Sequence, residues 1–241
     1  MVEQIADGVW NLGSQDFNFY ALEQGGKLTL IDAGLRRDWG RMLRGLDEIG
    51  HGIEGIDAVL LTHAHVDHVG VAERTRVEAG ARVYVHDEDE PFAAGRERMG
   101  RPSGSFSFGL FMLKAAAVMA VRSGPRYPVV RDLTALSDGE TIDVPGRPIV
   151  HHTPGHTPGS CVFHLPDRGL LFSGDALVTR SMVTGRRGPA SGLNSDDDQA
   201  EASLAVVERL DGRTLLPGHG APWRGSPAEA VAELRRARAD R

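Results

Sequence analysis

The segment Thr62-His63-Ala64-His65-Val66-Asp67-His68 places three imidazoles and one carboxylate within six residues. Imidazole and carboxylate together suit zinc or another borderline divalent metal. His63 and His65 are two apart, so in an extended segment both point to the same side. Asp67 and His68 follow as the chain turns and can face a second point nearby. The plain alternative is a polar turn in which Asp67 caps a helix and the histidines are solvated. One His-x-His pair would favour that alternative; this density of ligands favours a metal.

The elements around the cluster must deliver it to a shared point. The apolar run Ala58-Val59-Leu60-Leu61 reads as a buried strand, and Val69–Ala79 as a helix stopped by Gly80. A strand-to-helix turn is where open α/β sheets place their ligands.

Upstream, Ile5–Leu12, Phe17–Leu22 and Lys27–Ile31 read as strands separated by Gly13-Ser14 and Gly25-Gly26. A helix is expected over Asp38–Ile49, with Met42, Leu43, Leu46 and Ile49 on one face. Ala81–His86 is the next strand. Residues 87–130 break this rhythm and read as a helical insertion, two helices joined by a loop. It opens on the acidic Asp87-Glu88-Asp89-Glu90 and carries Phe106, Phe108, Phe111, Met112 and Met119. Apolar surface of this kind fits a core helix, a dimer interface, or a lid or pocket wall beside the site that favours apolar acyl substrates.

From Leu133 the strands return at Pro148–Thr153, Ser160–Leu165, Gly169–Ser173 and Thr214–Leu216. The helix over Ser195–Leu210 takes Ser195 as its cap, and the last helix takes Ser226 as cap with Pro227 at its first position. Three strands in this half end in a polar residue beside glycine: Thr153-Pro154-Gly155-His156, Ser173-Gly174-Asp175 and Pro217-Gly218-His219-Gly220. Alone, His156 reads equally as a turn histidine, Asp175 as a helix cap and His219 as a surface residue. Their joint occurrence with the first cluster favours one shared site.

Composition sets the outer limits. The 241 residues suit one domain over 1–241, and the net charge of -6 argues against a nucleic-acid or membrane partner held by bulk charge. One cysteine, Cys161, excludes an internal disulfide and a Cys-rich zinc site. No signal peptide or transmembrane helix is read, so a cytoplasmic protein with a small-molecule substrate is expected, with a homodimer as one possible assembly.

The full set of motifs resembles the metallo-β-lactamase-fold hydrolase superfamily over nearly the whole chain. Asp32 in Leu30-Ile31-Asp32-Ala33-Gly34 matches the first motif, His63, His65, Asp67 and His68 the second, His156 the third, Asp175 the fourth and His219 the fifth. The resemblance implies an α/β fold, a four-layer αββα sandwich with its metals along one edge of the paired sheets. It implies one metal on His63, His65 and His156, another on Asp67, His68 and His219, and Asp175 bridging both. Asp32 would orient a ligand histidine. Asp67 would also act in catalysis, orienting the nucleophile or moving its proton.

The implied reaction is attack by a metal-bridging hydroxide on an ester, thioester or lactone, with two Zn²⁺, or Fe or Mn in their place. A one-iron sulfur dioxygenase acting on persulfides is the enzymatic alternative, and a metal-binding regulatory domain without turnover the non-enzymatic one. His152 reads as a residue that lines the site. His51, His86, His151 and His164 match no ligand position and read as structural or exposed.

Overall fold

Gly8, at φ +62°, turns the chain between β1 (Glu3–Ala6) and β2 (Val9–Asn11), so the strand expected over Ile5–Leu12 is a hairpin. The computed structural model describes residues 2–14, 16–98, 127–180, 187–190 and 193–239. β3 (Tyr20–Gln24) and β4 (Lys27–Ile31) pair antiparallel across Gly25-Gly26. β5 (Ile56–Leu60), β6 (Arg82–His86) and β7 (Thr134–Leu136) then add in parallel, giving a seven-stranded sheet in sequential order.

A second sheet has five strands. These are β8 (Ile149–His152), β9 (Cys161–Leu165), β10 (Leu170–Gly174), β13 (Thr214–Pro217) and β14 (Trp223–Arg224), in the order β14-β13-β10-β9-β8. β11 (Val178–Arg180) and β12 (Arg187–Ala190) form a separate two-stranded ribbon.

Alternating side chains assign the layers. In β5, Val59 joins a core with Met42, Leu46 and Val69, whereas Ala58 and Leu60 join Phe163, Phe172 and Leu216. In β10, Leu170 and Phe172 face that same middle core, and Leu171 packs with Leu204, Val207, Val231 and Leu234. Each sheet therefore has the other sheet on one face and helices on the other. This is an αββα sandwich, and burial on both faces explains the unbroken apolar runs before each polar motif.

The outer helices are α1 (Trp39–Glu48), α2 (Val66–Val69), α3 (Ala72–Ala79) and α4 (Glu90–Ala93) on one side. On the other side lie α5 (Asp197–Arg209) and α6 (Pro227–Ala239). The buried residues of α1 are Trp39, Met42, Gly45 and Leu46, while Leu43, placed on that face by its spacing in the sequence, is exposed. The single helix expected from Val69 is two. It starts earlier, at Val66, and breaks at Gly70, where a Cβ would lie 2.3 Å from the Gly34 carbonyl oxygen. Asp196, not Ser195, caps α5: its Oδ1 accepts the Gln199 N–H at 2.9 Å, while the Ser195 hydroxyl donates to the Gly155 carbonyl. Ser226 caps α6 as expected, accepting the Glu229 N–H at 3.2 Å.

The flanks of the 87–130 segment belong to the core. Asp89, Ala93 and Val130 are buried, and the Val130 N–H donates to the Ala93 carbonyl at 3.0 Å. The apolar residues from Phe106 to Met119, and with them the readings as paired helices, lid or interface, lie outside the described residues. Among the described residues, no helix is long and apolar enough to cross a membrane.

Candidate metal centre

The motif residues meet at one edge of the two sheets. β4 and β5 run parallel, as do β10 and β13, so Asp32, His63, Asp175 and His219 all follow C-terminal strand ends. His156 joins them from the β8–β9 connection. Asp32 adopts φ +60°, a conformation costly for a residue with a side chain, and such strain clusters at functional sites. Its backbone N–H is held by the Leu60 carbonyl at 2.8 Å.

One group consists of His63 Nε2, His65 Nδ1 and His156 Nε2, separated by 3.0, 2.8 and 3.1 Å. A neutral imidazole nitrogen carries either a hydrogen or a lone pair. Three mutually touching nitrogens therefore cannot satisfy all three contacts among themselves. A cation between them would satisfy all three. Burial, followed by the proximity of the other imidazoles, pushes the His63 pKa well below its ordinary value. His65 is also lowered, chiefly by burial, and His156 falls to about 3 through burial and neighbouring imidazoles. All three thus stay unprotonated at neutral pH, which is the state that binds a metal.

The second group consists of Asp67, His68 and His219, whose ligand atoms lie within 4.8 Å of one another. His68 Nδ1 donates to Asp32 Oδ2 at 2.9 Å, and His219 Nδ1 donates to the Asp16 carbonyl, so both rings turn Nε2 inward. Asp67 Oδ2 lies 4.0 Å from His68 Nε2 and 3.5 Å from His219 Nε2. Burial opposes charge on His68 and His219. The carboxylates of Asp32, Asp175 and Asp67 outweigh it at His68, raising that pKa to about 10. Asp175 and Asp67 raise His219 to about 9.

Asp175 faces both groups. Its Oδ2 lies 3.6 Å from His156 Nε2 and 3.1 Å from His219 Nε2, and its Oδ1 lies 3.6 Å from His68 Nε2. His68 Nε2 and Asp175 Oδ1 are buried with no hydrogen-bond partner. A buried polar atom without a partner is costly, and a cation removes that cost for both at once. The donor set of nitrogens and carboxylate oxygens fits a divalent ion. Gly218 makes this approach possible, since a Cβ there would lie 2.3 Å from Asp175 Oδ1.

All seven ligand candidates converge, and Asp32 backs one of them. Its Oδ1 also accepts the Thr62 N–H at 2.8 Å, and Thr62 Oγ1, which donates to the same carboxylate, lies 3.1 Å from His63 Nδ1. His152 does not line the site. It stacks on His86 with centroids 4.0 Å apart, and its Nε2 donates to the Pro158 carbonyl at 2.8 Å.

Three supporting residues carry no signature in the sequence. Asn18 binds the His219 loop three times: its N–H donates to the Gly218 carbonyl at 2.8 Å, and its side-chain amide donates to Pro217 and Gly220 at 2.9 and 2.7 Å. Asp89 accepts hydrogen bonds from the two loops that carry the first group. The Tyr127 hydroxyl donates to the Ala64 carbonyl. Asn18 stands between Phe17 and Phe19 in a stretch that reads as a strand, and Asp89 in an acidic run of the kind that ordinarily marks solvated surface.

The family profile described as Metallo-beta-lactamase superfamily matches residues 18–219, a span that contains both groups. The chain belongs to the metallo-beta-lactamase superfamily. It is 26% identical over 240 residues to the probable metallo-hydrolase YflN of Bacillus subtilis, covering 92% of this chain and 87% of that protein. It is 30% identical over 165 residues to the bovine (Bos taurus) acyl-coenzyme A thioesterase MBLAC2, covering 66% of this chain and 54% of that one. The crystal structure of the metallo-beta-lactamase family protein TTHA1429 from Thermus thermophilus superposes with a TM-score of 0.72 at 26% identity, over 98% of this chain and 81% of that one. With these relatives and this site, the chain is a hydrolase of the metallo-beta-lactamase superfamily.

Proposed function

We propose that the chain is a dinuclear zinc hydrolase of esters, thioesters or lactones. The observation that carries this reading is the position of Asp175, one carboxylate within 3.6 Å of imidazoles from both ligand groups. His63, His65 and His156 would hold one ion, Asp67, His68 and His219 the other, and Asp175 would contact both. When bound, two such ions supply Lewis acidity that polarises a carbonyl and lowers the pKa of water.

The chain's own side chains do the remaining work. Asp67 and Asp175 are both buried, and Asp67 stands beside His68 and His219 without facing His156 as Asp175 does. Asp67 would orient the attacking water and take its proton. Asp32 and the Asp16 carbonyl accept the Nδ1 hydrogens of His68 and His219, so Nε2 of each ring would face the ion, and binding it would release the hydrogen that the surrounding carboxylates otherwise hold there. The similarity to a protein named as an acyl-coenzyme A thioesterase supports testing thioesters first among the candidate substrates.

Elemental analysis of protein purified without added metal tests the metal half, and a panel of acyl thioesters, esters and lactones tests the reaction. The expected result is close to two zinc ions per chain with hydrolysis in at least one class. One tightly bound iron, with oxygen uptake on persulfides, would replace this reading with a dioxygenase.

A further inference from the structure

We propose that Asp89 is a positioning residue that locks together the two loops carrying His63, His65 and His156, and so sets the cation affinity of that half of the site. The inference rests on the metal reading above. Asp89 is fully buried. Its Oδ2 accepts the Ala64 N–H and the Thr157 hydroxyl, each at 2.7 Å, and its Oδ1 accepts the Gly159 N–H at 2.8 Å. Ala64 stands between His63 and His65, and Thr157 follows His156. Each of the three ligands is therefore adjacent in sequence to a residue that Asp89 holds.

The two loops come from different halves of the chain, one after β5 and the other between β8 and β9. Asp89 reaches both from the turn after β6, where its own N–H is held by the His86 carbonyl at 2.9 Å and its carbonyl accepts the Ala93 N–H at 3.0 Å. Gly159 packs so closely that a Cβ would lie 2.4 Å from the Asp89 backbone nitrogen. Ala64 is held at its carbonyl as well, by the Tyr127 hydroxyl.

Only an acceptor on both oxygens meets two backbone N–H groups and a hydroxyl. An amide of the same shape would turn an NH₂ group towards a donor. Asp89→Asn therefore turns a donor against the donors on one side of the clamp and breaks that side while preserving volume, and a residue that merely filled space would tolerate it.

The test is competitive zinc titration of Asp89→Asn against the wild-type protein, with the two sites resolved by the resonances of the cadmium-loaded forms. The resonance that survives in His68→Ala identifies the three-histidine half. Asp89→Asn is expected to weaken that half by roughly 10–100-fold, the usual effect of losing an outer partner of a metal site, and to leave the Asp67/His68/His219 half near its wild-type affinity. Thr157→Val, which removes one of the three donors and keeps the carboxylate, should weaken the same half by less. It decides the question alone if Asp89→Asn does not fold. Wild-type affinity at the three-histidine half in a folded Asp89→Asn protein would overturn the inference. So would equal weakening of both halves, which marks a general structural role, or an unchanged Thr157→Val. A wild-type protein that binds no cation would overturn the metal reading itself, an outcome distinct from these.

Discussion

The two halves of the ligand set use similar donors but are held in different ways. In the Asp67/His68/His219 half, partners touch the rings directly: Asp32 holds His68 Nδ1, and the Asp16 carbonyl holds His219 Nδ1. In the His63/His65/His156 half, His156 Nδ1 is buried without a partner, and the nearby carboxylate, Asp89, grips peptide groups and a hydroxyl beside the ligands instead. Charge divides them too. Three neutral imidazoles form one group, whereas carboxylates surround the imidazoles of the other and raise their pKa values. Ring orientation in one half is thus set by a carboxylate and a carbonyl on the rings, and in the other by the geometry of two joined turns together with the Thr62 hydroxyl beside His63 Nδ1. Damage to either support should consequently be local.

Asp175 is the point where this division ends, and its replacement should have the largest effect. Asp175→Asn keeps the shape but removes a charge that lies within 3.6 Å of imidazoles from both groups. Turnover is expected to fall by several orders of magnitude with loss of at least one ion, measured by steady-state kinetics and elemental analysis on the same sample. Full activity with both ions retained would remove Asp175 from its shared role.

Asp32→Asn separates the halves. Loss of the carboxylate behind His68 should lower affinity in the Asp67/His68/His219 half by roughly 10–100-fold, read by zinc titration. A comparable loss in the three-histidine half would show that the Thr62 hydroxyl, which links Asp32 to His63, couples them. The comparison would then need revision.

Metal removal tests both halves together. An ion at 100 times its dissociation constant stabilises the folded state by about 2.7 kcal/mol. In a protein of this size each kcal/mol shifts the melting temperature by about 2–4 °C. Chelation should lower Tm by about 5–10 °C per ion of that occupancy, and added zinc should restore it. A Tm that ignores chelator would mean the loops hold their shape without ions.

The smallest effect is expected from Tyr127→Phe. It removes one hydrogen bond to the Ala64 carbonyl, worth about 0.5–1.5 kcal/mol, and should change denaturant stability by that order without changing ion stoichiometry. Loss of an ion would make Tyr127 as important to the three-histidine half as Asp89.

The candidate ligands were legible in the sequence because such donors are few residue types clustered at strand ends, and because the full set of motifs resembles a known superfamily. His63, His65, Asp67, His68, His156, Asp175 and His219 all stand where that reasoning expected a shared point. The supports were harder to read because they act through the backbone. Asp89 contacts Ala64, Thr157 and Gly159, none of which carries a signature, and the run Asp87-Glu88-Asp89-Glu90 looks like solvated surface. The strands followed from their apolar runs and the four-layer αββα arrangement from the family resemblance, but local breaks followed from neither. Gly70 ends α2 because it presses against the Gly34 backbone, a tertiary contact that no periodicity contains. Ser195 lost the cap of α5 to Asp196 because its hydroxyl donates to the His156 loop.

The most direct test of the two-centre account is a crystal structure of the zinc-loaded protein with anomalous data collected across the zinc absorption edge. The account predicts two anomalous peaks, one against His63, His65 and His156 and one against Asp67, His68 and His219, with Asp175 in contact with both. A single peak at full zinc loading, or a second peak away from Asp67, His68 and His219, would contradict it.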